Sequence, residues 1–305
     1  MITHKKTVQD MTQNTSIIEH APNSHTFRVK VDKVVPFFIL SDVHYDSYHC
    51  QRDLLKRHLD EIKAKDGYII SIGDWFDVMG CHRDPRSKGS DVRSEYFRKD
   101  ASYLDLIVND AFEFLKPYAE NLILMGYGNH ETAIMNHRDT DILNTLVFLL
   151  RQVGSPVVKG GYSGYFNINL QKTDTQSSSY LIAYHHGGGG NAPRSKGILH
   201  ADMDAKNYPD ADLIISGHNH QKGHWPLVCY RRHANSGKIV FQTRYWVKTG
   251  TYKRNEDSPL IGGWEVEKKF DPTPLGGYFL DLEYKRETVD GKSKVSIIDT
   301  LIDAK

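Results

Sequence analysis

Short apolar runs alternate with longer amphipathic segments through the first half of the chain. The runs at residues 34–40, 68–72 and 122–125 are continuous and bounded by polar residues, which is typical of buried strands. Segments 52–65, 101–115 and 141–153 place apolar residues three and four positions apart, as amphipathic helices do. This alternation predicts an α/β fold, in which helices pack outside a sheet.

The second half of the chain has a different pattern. Short β-rich runs separated by Gly and Pro lie at residues 162–170, 180–184, 213–215, 238–243 and 278–283. They indicate a second sheet. Residues 1–25 are polar and aperiodic, which predicts a disordered, mobile tail. We therefore expect a single domain over residues 26–305, with a charged loop insertion at 80–100 and a β-rich C-terminal part at 221–305.

Composition narrows the class of protein. The chain has 39 Lys and Arg against 38 Asp and Glu, so net charge alone does not indicate a nucleic-acid or membrane partner. Its three cysteines form no CxxC pair, which favours reduced thiols. The N-terminal residues lack the apolar core of a secretory signal, and no apolar run is long enough to cross a bilayer. A cytoplasmic protein without a membrane partner is expected.

Polar clusters follow five of the strand-like runs, in the order Asp42-x-His44, Asp74-x-x-Asp77, Asn129-His130-Glu131, His185-His186 and His218-x-His220. Because binding crevices form where strand ends meet at one edge of a sheet, we expect these side chains to converge. Carboxylate, amide and imidazole ligands suit divalent cations of intermediate hardness, and the lack of cysteine argues against a structural zinc site. Each fragment alone is explained equally well as an ordinary capping residue or turn. Their joint occurrence indicates a metal site.

The five clusters resemble the signature of calcineurin-like metallophosphoesterases, which reads D-x-H, G-D-x-x-D, G-N-H-E, H-G and G-H-x-H. The resemblance covers residues 34–220. It implies a two-sheet β-sandwich flanked by helices (αββα). It also implies two divalent metal ions and hydrolysis of a phosphate ester by metal-activated hydroxide.

The resemblance also implies roles for individual residues. The metal ligands form two sets and one bridging residue: Asp42, His44 and His220; Asn129, His186 and His218; and the bridging Asp74. His185 competes with His186, which we prefer because the family's ligand directly precedes the glycine. His130 would protonate the leaving group or stabilise its charge. Asp77 would orient His130, unless it is an ordinary loop cap, and Glu131 would support the site.

Substrate contacts are less constrained by the sequence. Protein phosphatases of this superfamily carry Arg-Gly directly after the second acid of the second cluster, where this chain has Val78-Met79. The difference favours a phosphodiester or nucleotide. The glycine-rich loop at 187–190, with Arg194 and Lys196, is either a phosphate-binding site or a solvated loop. The basic stretch at 83–99, which includes Tyr96 and Phe97, either follows a nucleic-acid backbone and stacks a base or is a solvated insertion.

The predicted function is a phosphodiesterase or nuclease acting on nucleic acid or nucleotides. A phosphomonoesterase for a small metabolite and a non-catalytic metal-binding scaffold are the alternatives. Manganese is the expected metal, and iron, zinc, nickel and cobalt also suit mixed nitrogen and oxygen ligands.

Overall fold

A computed structural model describes residues 8–12, 15–78, 91–189, 198–232, 237–254, 273–289 and 292–305. Its strands are β1 (Val8–Thr12), β2 (Thr15–Ala21), β3 (Ser24–Lys30), β4 (Val34–Leu40), β5 (Tyr68–Ser71), β6 (Leu122–Met125), β7 (Val158–Lys159), β8 (Ser163–Thr173), β9 (Gln176–His185), β10 (Leu213–Ser216), β11 (Gly223–Arg232), β12 (Ile239–Lys248), β13 (Tyr278–Val289) and β14 (Lys292–Asp303). The α-helices are α1 (Arg52–Ala64), α2 (Tyr103–Leu115), α3 (Asn129–Arg138), α4 (Ile142–Gln152) and α5 (Ile198–Asn207).

The strands form two sheets that pack face to face. The larger sheet has the order β1-β2-β3-β8-β9-β10-β12-β11, and the smaller has the order β14-β13-β4-β5-β6-β7. Strands β4 to β7 are parallel neighbours, and β10 is parallel to both β9 and β12. Parallel neighbours end at the same edge of a sheet, so the segments that follow β4, β5 and β6 leave on one side. The predicted αββα sandwich is confirmed.

Alternation along β4 shows how the layers are built. Phe37 and Ile39 face the core between the sheets, whereas Phe38 and Leu40 pack against the helices on the outer face. Burial on both faces explains the continuous apolar run at residues 34–40. Helix α5 covers part of the larger sheet's outer face, where Ala201 packs with Trp246. Within the described ranges, no helix combines the length and apolar character needed to cross a bilayer.

The predicted mobile tail is wrong for residues 8–12, which form β1, and for residues 15–25. The latter residues form β2 and the start of β3, and β3 pairs in parallel with β8 from Ser24 opposite Tyr165. Ile17 and Ile18 are buried in this segment, although their neighbours are polar. With so few apolar side chains, the segment lacks the apolar run by which the other strands were identified. The tail expected at residues 1–7 lies outside the described ranges.

Strand β3 also buries a histidine that no polar group satisfies. His25 is 1% exposed, its ring centroid lies 6.4 Å from that of Phe166, and neither ring nitrogen has a hydrogen-bond partner among the described residues. Burial lowers the pKa of His25 to about 4. The folded protein therefore keeps this imidazole neutral over a pH range in which the unfolded chain protonates it.

We expect acid to destabilise the fold through His25. Because its pKa falls from 6.5 to about 4 on folding, the unfolded state binds more protons between these values, and stability decreases as pH falls through that range. The loss amounts to about 3 kcal/mol when complete. Urea unfolding at pH 7 and pH 4.5 measures it. His25→Leu should be more stable and lose less on acidification. An unchanged pH dependence in that variant would contradict the prediction.

Candidate metal centre

The five polar clusters meet at one rim of the sandwich. Three follow strands of the smaller sheet, and two follow β9 and β10 of the larger sheet. Backbone hydrogen bonds hold neighbouring segments together: Asp42 N donates to Gly73 O at 3.0 Å, and Gly217 N donates to His186 O at 2.7 Å. The two sheets are joined where His218 N donates to both carboxylate oxygens of Asp42 at 3.0 Å.

One group of ligand atoms consists of Asp42, His44 and His220, whose atoms all lie within 4.8 Å of one another. The Nε2 atoms of His44 and His220 are 3.0 Å apart, and His220 Nε2 lies 3.6 Å from Asp42 Oδ1. Burial lowers the pKa of His220, and the charge of His44 lowers it further. A neutral imidazole keeps a lone pair available, which is the form that binds a metal.

A second group consists of Asp74, His186 and His218, again within 4.8 Å. His186 Nε2 lies 3.1 Å from Asp74 Oδ2 and 3.2 Å from Asn129 Oδ1, and His218 Nδ1 lies 2.7 Å from the same Asn129 oxygen. Asp74 also belongs to a third group with His44 and His130. Its carboxylate therefore lies between the two predicted ligand sets.

The chemistry of these donors fits divalent cations. Asp42 and Asp74 are buried carboxylates at 0% and 1% exposure, and the oxygen and nitrogen atoms beside them are the ligand types that such ions accept. Burial alone would raise the pKa of Asp74, but His186 and His130 hold it well below its usual range. The ligands predicted from the sequence, Asp42, His44, Asp74, Asn129, His186, His218 and His220, are thus brought together.

The backbone at the ligands adopts a conformation that L-residues rarely use. The φ angles are 51° at Asp42, 50° at His44, 49° at Asp74, 76° at His218 and 58° at His220. Positive φ is uncommon outside glycine, and such residues concentrate at functional sites where the surrounding structure holds them. At Gly128 a Cβ atom would overlap the Asp74 carboxylate, so only glycine fits beside it.

Two buried carboxylates fix the segment that carries Asp74. Glu131 accepts hydrogen bonds from the backbone N–H groups of Gly128, Asp74 and Phe76 at 2.8, 3.1 and 3.0 Å. Burial, reinforced by the charge of Asp74, raises the pKa of Glu131 to about 7. Asp46, which sequence reasoning missed, accepts from Asp77 N, Val78 N and the Tyr103 hydroxyl. All these partners of Asp46 are distant in sequence, so no local motif indicated it.

His130 lies beside Asp74 but is oriented differently from the expectation. Its Nδ1 lies 2.6 Å from the main-chain oxygen of Asp77 and 3.9 Å from the Asp77 carboxylate. The carboxylate instead lies 2.8 Å from His44 Nδ1 and 3.0 Å from Lys253 Nζ. Asp77 therefore positions His130 through its backbone and His44 through its side chain.

Lys253 is the second residue that sequence reasoning missed. It is 7% exposed and donates to both carboxylate oxygens of Asp77, at 3.1 and 3.0 Å. Burial alone would raise the pKa of Asp77, but Lys253 and His44 hold it far below its usual range. The lysine follows the last cluster by 33 positions in the chain, which is why no spacing argument connected it to the site.

We expect Lys253→Met to destabilise the protein by about 3 kcal/mol, because it leaves the buried Asp77 carboxylate without its cation. Urea unfolding at constant metal concentration measures the change. Lys206→Met is the matched control, since Lys206 pairs with Asp202 where both side chains are 73% exposed. The control should cost less than about 1 kcal/mol. Equal effects of the two substitutions would show that the buried pair contributes no more to the free energy of unfolding than an exposed pair does.

The remaining sequence predictions have different outcomes. His185 is not in the ligand groups: its Nδ1 accepts a hydrogen bond from Gly187 N at 2.9 Å. Arg194 and Lys196 lie outside the described residues, as do residues 80–90 of the charged insertion. Tyr96 is buried and donates its hydroxyl to Asp110, so its ring is not presented for base stacking.

Comparisons with known structures give distant similarities. Vacuolar Protein Sorting 29 from Cryptosporidium parvum has a TM-score of 0.36 at 14% identity and covers 88% of this chain and 99% of its own. Vps29 of Entamoeba histolytica, solved with Zn²⁺, has a TM-score of 0.34 at 12% identity, covering 87% and 99%. A predicted phosphoesterase from Streptococcus pneumoniae has a TM-score of 0.32 at 12% identity, covering 87% and 98%.

A search of curated protein sequences returns no match. The sequence model of the calcineurin-like phosphoesterases matches residues 35–222, which is more than half of the chain and includes all five polar clusters. The resemblance seen in the motifs is thereby confirmed, and the chain belongs to the calcineurin-like phosphoesterase family.

Proposed function

We propose that this protein is a metal-dependent phosphodiesterase that acts on nucleic acid or nucleotides. The observation that carries the proposal is the position of Asp74, whose carboxylate is grouped with His186 and His218 on one side and with His44 and His130 on the other. Divalent cations held by the residues on either side of Asp74 would suit displacement at phosphorus, because they would assist both the attacking water and the phosphoryl group.

Two bound divalent cations would lower the pKa of a water molecule and offset negative charge on the phosphoryl oxygens. One cation would be held by Asp42, His44 and His220, and the other cation by Asn129, His186 and His218. Asp74 would contribute to both sites. We propose manganese as the native metal, although iron, zinc, nickel and cobalt suit the same donors.

We propose that His130, in its imidazolium form, donates its Nε2 proton to the leaving oxygen and becomes neutral. Its Nδ1 is engaged by the main-chain oxygen of Asp77, which leaves Nε2 as the nitrogen that faces the Asp74 side of the site, 3.9 Å from Asp74 Oδ2. The side chain is 12% exposed, whereas those of Asp74 and Asp77 are 2% and 1% exposed. His130 is thus more accessible than these carboxylates and is placed to meet a substrate entering the rim.

Several features support a diester rather than a monoester. A monoester dianion gains more from a cationic side chain than a diester does, because it carries an additional negative charge. Val78, which takes the place of the phosphatase arginine, is fully buried in the core beneath the helices. Lys248 and Lys253 are 1% and 7% exposed, so neither presents its ammonium group to solvent.

A cytoplasmic location is part of the same proposal. Both cysteines in the described ranges, Cys50 and Cys229, are free thiols. Burial raises the pKa of Cys50 to about 12, which keeps it protonated and unreactive. Thiols in this state are the usual condition of proteins in a reducing compartment.

The test compares manganese-dependent hydrolysis of bis(p-nitrophenyl) phosphate and p-nitrophenyl phosphate by the purified protein. We expect a higher kcat/KM for the diester and loss of activity with a chelator. Preference for the monoester would replace the proposal with a phosphomonoesterase. Two bound metals without hydrolysis of either ester, or of DNA, RNA or cyclic nucleotides, would replace it with a metal-binding scaffold.

A further inference from the structure

The segment from residue 213 to residue 255 contains no Asp or Glu, although the whole chain has almost equal numbers of acidic and basic residues. It carries eight basic side chains: Lys222, Arg231, Arg232, Lys238, Arg244, Lys248, Lys253 and Arg254. The segment includes His218 and His220 of the metal centre and the antiparallel hairpin of β11 and β12. Arg244, Lys248 and Lys253 are buried, the Lys222 side chain is 5% exposed, and Lys222 and Lys253 pair with Asp303 and Asp77. The accessible positive charge is therefore that of Arg231, Arg232, Lys238 and Arg254.

The hairpin leads away from the metal centre. β11 begins three residues after His220, and β12 ends at Lys248, which lies opposite Ser216 at the end of β10. Only residues 245–248 of β12 pair with β10, so the outer part of the hairpin extends beyond its neighbour. The nine steps from Lys248 to Ile239 span about 30 Å at the usual rise of a strand.

One face of this outer part exposes large apolar side chains. Val228, Tyr230, Ile239 and Phe241 are 59%, 71%, 71% and 70% exposed. Tyr230 lies directly opposite Phe241, and their ring centroids are 4.5 Å apart. Arg232, which is exposed, lies opposite Ile239 on the same face. The face therefore combines two accessible aromatic rings with a guanidinium group.

The opposite face of the hairpin is anchored to the domain. Arg244 donates to the main-chain oxygens of Tyr208 and Pro209 at 3.0 and 2.9 Å, and Trp246 Nε1 donates to Asp204 at 2.8 Å. These contacts fix the direction of the hairpin and leave the Tyr230 and Phe241 rings facing solvent.

We propose that the face formed by Val228, Tyr230, Arg232, Ile239 and Phe241 binds single-stranded nucleic acid and directs it toward the metal centre. The inference rests on the proposed function and adds the binding surface that a nucleic-acid substrate requires. Exposed aromatic rings stack on unpaired bases, and arginine and lysine side chains neutralise the backbone phosphates.

A second copy of the chain fits this face less well than single-stranded nucleic acid does. A symmetric dimer through β11 would bring the basic hairpins of both copies together, and like charges at close range oppose pairing. Four apolar side chains also cover much less than the roughly 800 Å² per partner that a stable interface buries. The exposed Arg232 and Lys238 at the outer end of the hairpin are instead complementary to a polyanion.

The test measures binding of a fluorescent oligothymidylate of about 20 nucleotides by anisotropy, with the full chain in a chelator to prevent cleavage. We expect Tyr230→Ala and Phe241→Ala each to weaken binding about tenfold. Arg232→Gln should reduce the slope of log affinity against log salt by about 0.7. Ile298→Ala, at a 39% exposed position on β14, is the control and should bind normally. Ile298→Ala should also hydrolyse bis(p-nitrophenyl) phosphate at the wild-type rate.

Oligonucleotide binding that is unchanged in all three hairpin variants would overturn the inference. So would the absence of such binding together with hairpin-dependent binding to anionic lipid vesicles or hairpin-dependent dimerisation. Hairpin-dependent oligonucleotide binding by a protein that hydrolyses no ester would support the binding face and contradict the proposed function. Diester hydrolysis with no oligonucleotide binding would support the proposed function and contradict the binding face.

Discussion

Replacing Asp74 with asparagine is expected to abolish phosphate-ester hydrolysis and to lower the metal content of the purified protein. The carboxylate is grouped with His186 and His218 on one side and with His44 on the other, so its loss is expected to weaken both proposed metal positions. Removing metal assistance costs several kcal/mol of transition-state stabilisation, or roughly a thousandfold in rate. Metal content by mass spectrometry and hydrolysis of bis(p-nitrophenyl) phosphate measure the two effects.

Asp105→Asn is the matched control for this variant, because Asp105 is an exposed residue of α2 and undergoes the same chemical change. It should retain both metal and activity. Full activity of Asp74→Asn on a natural phosphate ester would contradict the assignment of the metal centre.

His130→Ala should separate metal binding from turnover. We expect the variant to keep both metals and to lose roughly 10²–10⁴-fold in kcat, the range that one positioned proton donor contributes. The loss should be smallest on nitrophenyl esters, whose leaving group needs little protonation, and largest on a dinucleotide. Parallel measurement of kcat on both substrates and of metal content tests this prediction.

His137→Ala provides the control on the same helix, because His137 is exposed in the last turn of α3. It should behave as wild type on both substrates. If His130→Ala lost the same factor on both substrates, His130 would not be protonating the leaving group.

The sequence was sufficient to predict the proposed metal ligands, which the structure brings together, because each is a local feature. Every ligand lies within a few residues of the end of an apolar run, and parallel strands carry those ends to one rim. Buried strands and amphipathic helices were located by the same local patterns: the segment expected at 52–65 is α1 at Arg52–Ala64, and the run at 122–125 is β6. Periodicity and strand-end position therefore predicted both the layers and the site.

Features that depend on partners far along the chain were missed. Asp46 receives hydrogen bonds from residues more than 30 positions away, and Lys253 pairs with Asp77 across 176 positions. The Asp77 carboxylate was assigned to His130, but Lys253 and His44 both lie closer to it. Strand β2 was missed for a related reason, since its burial depends on β3 and the sandwich rather than on its own composition.

The local charge of the β11–β12 hairpin could not be predicted from the net charge of the whole chain. A net charge of +1 averages the acid-free stretch at 213–255 with the more acidic remainder. Side-chain exposure then distinguishes Arg232 on the hairpin's open face from Arg244, which is buried against main-chain oxygens.

The pairing of β4 with β13 has a consequence for how this protein is made. Asp42 lies two residues after the end of β4, and its main-chain oxygen accepts hydrogen bonds from Tyr252 N and Thr251 Oγ1. The strand itself pairs with β13, where Ile39 lies opposite Tyr278. Contacts so distant in sequence form slowly, and on the ribosome they cannot form until most of the chain has emerged. The motifs of the candidate metal centre are thus synthesised before the strand that completes their scaffold, so the centre is assembled late in the folding of the chain.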